Sequence, residues 1–178
     1  LGERGDVWDF EKASKDPGLE GQRPIPDETV TIAEVLQEAG YTTGSVGKWG
    51  LGPPSSEGAP NNQGFDFFYG YNCQRQAHTY YPHHLWKNDK KDTLENKLVL
   101  PHTALPEDAD PYKPESYSSF RLTDYAPDLM IEETLKFLER NKQNPFFMYY
   151  ATPVPHLPLQ APERWVDYYV EKFGDEEP

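Results

Sequence analysis

Two residues stand where a charged or proton-carrying side chain could meet a ligand. Lys48 lies in Gly47-Lys48-Trp49-Gly50-Leu51-Gly52, and His156 in Pro153-Val154-Pro155-His156-Leu157-Pro158. A lysine flanked by glycines has a backbone that a ligand can approach closely, and its ammonium is a compact point charge suited to a tetrahedral oxyanion. A histidine between prolines is held on a stiff tether, as a proton donor or acceptor must be. On spacing alone, a solvated loop lysine and a capped loop histidine are the plainer alternative. A third cluster runs Gly70-Tyr71-Asn72-Cys73-Gln74-Arg75-Gln76-Ala77-His78, with Tyr80, Tyr81, His83, His84 and Trp86 behind it. Its alternation of amide, guanidinium, imidazole and aromatic groups is the mixture that recognises a polar, hydroxylated or anionic ligand. Most of the aromatics are expected simply to pack the loop. His83 and His84 have neither helical spacing nor a cysteine set, so no zinc site is expected there. Cys73 lacks the electropositive helix-start setting of a reactive thiolate.

The flanking sequence predicts the elements that place these residues. Thr31 and Glu34 have capping-box spacing, Ile32, Val35, Leu36 and Ala39 form one apolar helical stripe, and Gly40 suits a helix end. Tyr41–Val46 then reads as a short strand that delivers Lys48 at its carboxyl end. The second unit repeats this order. Asp124 is expected to cap a helix from about Tyr125 to Asn141, with Pro127 in the first turn and Met130, Ile131, Leu135 and Leu138 inward. Phe146–Ala151 is a continuous apolar run, as in a buried parallel strand, and delivers His156. A last helix spans Pro162 to Phe173, with Trp165, Val166, Tyr169 and Phe173 on one side. Between the units, residues 53–121 read as a long irregular loop, with short strands near Phe65–Tyr69 and Leu98–Leu100 and a charged tip over 87–97. Residues 1–28 read as loop. Two helix-then-strand units predict an α/β fold, in which ligands bind beyond the strands' carboxyl ends.

Composition narrows the function classes. Among 178 residues, 30 Asp and Glu oppose 17 Lys and Arg, for a net charge of −13. That balance lacks the basic face a phosphate-contacting nucleic-acid binder needs. No run of ~18 apolar residues exists to span a bilayer. One cysteine excludes an internal disulfide. Hydrophobic residues make up only 36%, yet 14% are aromatic, a polar balance for a self-sufficient core. With Leu1 at the start and no signal pattern, a piece of a longer protein is expected. There is no P-loop, dinucleotide fingerprint or Gly-x-Ser-x-Gly elbow. The residues alone therefore point to an oxyanion-handling part of an α/β enzyme.

Three segments, in order, resemble the sulfatase family. Gly40-Tyr41-Thr42-Thr43-Gly44-Ser45-Val46-Gly47-Lys48-Trp49-Gly50-Leu51-Gly52 is similar to the family's helix-to-strand signature ending in Gly-Lys-Trp-His-x-Gly. Gly64-Phe65-Asp66-Phe67-Phe68-Tyr69-Gly70 resembles its Gly-Phe-Asp-x-Phe-x-Gly element, and Phe146 to Leu159 its strand entering a Pro-His-x-Pro loop. The resemblance covers roughly residues 29–165. The 70–78 string further resembles a bacterial subgroup acting on sulfated carbohydrates or small sulfate esters. It implies an alkaline-phosphatase-like sheet, mixed or parallel, with helices on both faces and a long substrate loop. It also implies sulfate-ester hydrolysis by a formylglycine beside a calcium ion, and a periplasmic or extracellular location. Lys48 would bind sulfate and the bridging oxygen, and His156 would contact sulfate and protonate the departing alcohol. Asn72, Gln74, Arg75 and His78 would line the substrate pocket.

The chain departs from the family pattern in three ways. It has no Cys/Ser-x-Pro-x-Arg, since Cys73 precedes Gln74 and Arg75; it lacks the family's early Asp pair and late metal ligands; and position 50 is Gly where many members carry His. His78 is expected to stand in for that histidine. The chain then corresponds to the middle of a catalytic domain, with formylglycine and calcium ligands outside it, and should be inactive alone. The competing readings are an alkaline-phosphatase-like phosphodiesterase or phosphonate hydrolase, and a non-catalytic carbohydrate- or anion-binding module.

Overall fold

The computed structural model describes residues 20–100 and 103–174; most of the expected N-terminal loop lies outside them. Helix α1 (Ile32–Glu38) leads into β1 (Thr42–Lys48), followed by β2 (Phe67–Tyr71), β3 (His84–Lys87), β4 (Lys90–Thr93), helix α2 (Ala126–Asn141), β5 (Phe146–Ala151) and helix α3 (Glu163–Phe173). The strands form one sheet in the order β4-β3-β2-β1-β5. β1 runs parallel to both β2 and β5, while β3 and β4 are antiparallel additions. The sheet is thus mixed, and both predicted helix–strand units sit side by side at its parallel end.

Local chemistry explains α1. Thr31 Oγ1 accepts from the Glu34 N–H at 3.2 Å while the Glu34 carboxylate accepts from the Thr31 N–H at 2.6 Å, completing the predicted capping box. Gly40 follows at φ +86°, the left-handed stop the sequence called for. α1 and α2 lie on opposite faces of the sheet. Ala33 of α1 joins Trp49, Phe65, Phe68 and Trp86 in one cluster. Ala126 and Met130 of α2 join Val46, Tyr69, Tyr71 and Leu85 in the other.

Several expectations are corrected. Within 53–121, β2 overlaps the strand expected near Phe65–Tyr69, but β3 and β4 were not expected, so less of the region is irregular than its sequence suggests. These strands are only four or five residues long, too short to show a period. The charged tip is the β3–β4 turn, with Asn88 at φ 54°. Leu98–Leu100 forms no strand. Asp124 does not cap α2; Tyr125 holds the N-cap position without a side-chain bond. Asp124 instead accepts from the Glu95 N–H at 2.7 Å, and buried Asn96 accepts from the Thr123 and Asp124 N–H groups at 3.0 and 2.9 Å.

The helix faces also differ from the apolar stripes. α1 buries Ala33 while Ile32 and Val35 are exposed, and α3 buries no residue. α2 buries Met130, Glu133 and Phe137, leaving Ile131 and Leu135 outside. The cause is local. Phe137 packs where Gly44 lacks a side chain, since a Cβ there would lie 2.8 Å from its ring, and it stacks on Phe67 at 5.8 Å. Glu133 comes with that face and is neutralised by Lys87 Nζ at 2.7 Å. β5 is parallel as expected but not buried: among the described residues it stands at the end of the strand order, with Tyr149 and Tyr150 exposed.

At the parallel end, Gly70, Gly47 and Ala151 align across β2, β1 and β5. A Cβ on Gly70 would lie 1.9 Å from the Gly47 carbonyl oxygen, and one on Gly47 would lie 2.0 Å from that of Ala151. Both glycines have positive φ, +152° and +123°. Backbone, unlike a side chain, cannot step aside here. Gly70→Ala should therefore destabilise by about 3 kcal/mol, combining left-handed strain with overpacking. Denaturant unfolding of the full-length protein measures it; a loss below about 1 kcal/mol would contradict the tight row.

Candidate active site

Because β1, β2 and β5 are parallel, their carboxyl ends share one edge of the sheet, where α/β folds place ligands. Lys48 is the last residue of β1 and pairs with Tyr71 at the end of β2. The strand continues two residues beyond the predicted Val46. The Trp49 N–H donates to the Tyr71 carbonyl at 2.9 Å, and its indole N–H donates to the Gly58 carbonyl at 2.9 Å, so the backbone around Lys48 is fixed from both sides. Burial pushes the Lys48 pKa below the ordinary lysine value. An ammonium stripped of part of its water gains more from an anion set beside it.

The loop after β2 carries the other predicted residues. Asn72 is fully buried, and its Oδ1 has no hydrogen-bond partner among the described residues. Cys73 is buried, which raises its thiol pKa, and it receives a bond from Gln22 Nε2 at 3.6 Å. It is a packed thiol, not a nucleophile. Gln74 is half-buried, and its backbone N–H donates to Gln22 Oε1 at 3.1 Å. Its side chain lies over Gly50, where a Cβ would come within 2.5 Å of Gln74 Cγ. Arg75 is exposed. His78 ends a short 3-10 turn, Gln76–His78.

His78 and His156 come together, with ring centroids 4.6 Å apart. His78 Nδ1 lies 3.1 Å from the Arg75 carbonyl, and His156 Nδ1 lies 2.8 Å from the Leu157 carbonyl. A carbonyl only accepts, so each Nδ1 carries the hydrogen of its contact. The peptide bonds before Pro155 and Pro158 are both cis. Tyr80, fully buried, ties this loop down by donating its hydroxyl to the Pro153 carbonyl at 3.0 Å and to the His156 carbonyl. The two imidazoles line a cavity of about 920 Å3 together with Tyr81, Tyr117, Phe120, Arg121, Leu157 and Leu159.

The predicted residues thus fall into two groups on one edge of the sheet. Lys48, Asn72, Gln74 and Arg75 belong to the strand ends, and His78 and His156 to the cavity. Gln74, not His78, sits against Gly50. Tyr80, Gln22 and Arg121 escaped the sequence reading. Tyr80 lay among aromatics expected only to pack, and the contacts of Gln22 span 51 and 52 residues. Among the described residues, no three His, Cys, Asp or Glu converge to hold a metal ion.

A family model described as Sulfatase matches residues 8–177. An uncharacterized sulfatase of Schizosaccharomyces pombe is 30% identical over 161 residues, covering 89% of this chain and 26% of that protein. An arylsulfatase of Hemicentrotus pulcherrimus is 32% identical over 144 residues, 76% of this chain and 23% of that protein. The chain therefore spans about a quarter of the length of these curated relatives. Among solved structures, Ps i-CgsB matches with a TM-score of 0.57 at 23% identity, over 87% of this chain and 34% of that one. BT4656, in complex with its substrate D-glucosamine-2-N,6-O-disulfate, matches with a TM-score of 0.54 at 25% identity, over 93% and 26%.

Proposed function

The chain belongs to the sulfatase family, and from that premise we propose that the full-length protein hydrolyses sulfate esters, sulfated carbohydrates among them, with Lys48 and His156 in its catalytic site. The observation that carries the reading is the pairing of His156 with His78 above a cavity, on the same sheet edge as the half-buried Lys48. Hydrolysis breaks the bond between sulfur and the bridging oxygen, and negative charge grows on that oxygen. The Lys48 ammonium offsets the charge on the sulfate and bridging oxygens in a partly desolvated setting, where one cation counts for more than in water. Protonated His156 delivers a proton from Nε2 to the departing alcohol, while its Nδ1–H stays on the Leu157 carbonyl and fixes the ring. Asn72, Gln74, Arg75 and His78 serve as substrate contacts. The apolar and aromatic walls hold the body of the alcohol, and aromatic faces suit a sugar ring as well as an aryl group.

A formylglycine beside a calcium ion would supply the nucleophile and further charge neutralisation. The described residues offer no donor set for that ion, so its ligands would come from elsewhere in the protein. Export to the periplasm or the extracellular space is part of the same proposal; among the described residues no helix is long and apolar enough to cross a membrane.

The test is turnover by the full-length protein. Release of sulfate from an aryl or sugar sulfate, with a phosphate diester hydrolysed far more slowly, is the expected result. Preferential phosphodiester cleavage would favour the phosphodiesterase reading. Saturable sugar-sulfate binding without turnover would favour a binding module.

A further inference from the structure

A buried polar cluster lies behind the substrate loop. The Glu20 side chain is fully buried, and its carboxylate accepts from Trp86 Nε1 at 2.7 Å and lies 2.8 and 2.9 Å from His84 Nε2. Lys91 Nζ stands 4.0 Å away. A carboxylate this deep is costly unless its oxygens are satisfied, so these donors make Glu20 a firm anchor. His84 ties the anchor to the loop, because Gln76 Nε2 donates to its carbonyl at 3.1 Å. Gly21 follows at φ +153°, pressed so close to Pro53 that a Cβ would lie 2.8 Å from Pro53 Cα. Gln22 then reaches the loop itself, accepting from the Gln74 N–H at 3.1 Å and donating to Cys73 Sγ at 3.6 Å.

These contacts converge on Gln74. Its backbone is held by Gln22, and its side chain fills the space that Gly50 leaves open, with Nε2 only 2.6 Å from where a Cβ would be. Gly50 is two residues from Lys48. We infer that Gln22, anchored through Glu20, is a positioning residue that acts through Gln74 and fixes the Gln74 carboxamide beside the Lys48 end of β1. The kinetic part of this inference rests on the sulfatase reading; the structural part does not. A mobile Gln74 side chain would lose rotamer entropy on meeting substrate. One held in place in advance contributes its hydrogen bond at little cost.

The experiment compares Gln22→Met, Gln74→Ala and the double variant in the full-length protein. Hydrogen exchange should show the Gln74 amide about tenfold less protected in Gln22→Met, the equivalent of one hydrogen bond. With a sulfate ester as probe, Gln22→Met should raise KM about tenfold with kcat within about threefold, while the double variant matches Gln74→Ala alone. Gln22→Ser, too short to reach the amide, serves if Gln22→Met does not fold. Unchanged Gln74 protection overturns the proposal outright. Additive losses in the double variant also overturn it, because Gln22 would then act independently of Gln74. If the wild type turns over no sulfate ester, the functional reading fails, and the exchange result alone decides whether Gln22 positions the loop.

Discussion

Lys48→Ala in the full-length protein is expected to lower kcat for a sulfate ester by about 10²–10³-fold, the scale on which losing one charge-stabilising donor acts (~3–4 kcal/mol). The expectation rests on where Lys48 sits. It ends β1, pairs with Tyr71 across the sheet, and is half-buried, so its charge acts through less water than a surface lysine's would. Lys48→Arg should not restore activity, because a planar fork cannot replace a compact ammonium in a slot built on glycine backbone. The pH profile gives a second reading. Burial favours the neutral amine and lowers the Lys48 pKa, so the ammonium is present below that value and lost above it. The wild type should lose kcat/KM on the alkaline side, below the ordinary lysine range, and Lys48→Ala should lack that limb. A variant retaining more than a tenth of wild-type kcat would remove Lys48 from the catalytic site.

His156→Gln is expected to cost about 10²–10⁴-fold, the usual contribution of general acid–base catalysis, and the loss should depend on the substrate. Glutamine keeps a donor near the Leu157 carbonyl but cannot deliver a proton from Nε2. An ester of a poorly acidic alcohol needs that proton and should suffer the full loss. An activated aryl ester leaves as a stabilised anion and should suffer about tenfold or less. A plot of log kcat against leaving-group pKa should therefore steepen in the variant. Equal losses across the series would mean that His156 binds sulfate without transferring a proton. His78→Ala provides the comparison: its ring lies against His156, so unchanged turnover on removing it would leave His156 as the acting imidazole.

Much of this site was legible in the sequence because its elements are specified locally. The capping box at Thr31 and Glu34 and the stop at Gly40 each depend on neighbours a few residues away. Lys48 and His156 could be picked out because each lies at or shortly beyond the carboxyl end of a strand visible as an apolar or β-branched run. The partners that hold them could not. Tyr80 reaches the His156 carbonyl across 76 residues, Gln22 reaches Gln74 across 52, and Glu20 reaches Trp86 across 66. No window or periodicity contains such pairs. On α2, Met130 is buried as expected, but Glu133 and Phe137 were missed for the same reason. Hydropathy marked Ile131 and Leu135 as inward, but the gap at Gly44 accepts Phe137, and Lys87 on a distant hairpin allows Glu133 to be buried.

By itself, then, the sequence determined the helix–strand units, the two residues delivered at the strand ends and the family they resemble, because caps, turns and strand runs are encoded over a few residues. Only the tertiary structure decided that the sheet is mixed, that β1 lies between β2 and β5, that His78 faces His156 and that Gln74 occupies the space at Gly50. Those outcomes follow from which distant surfaces meet, and a meeting of surfaces is fixed by shape and charge across the whole fold rather than by any stretch of chain.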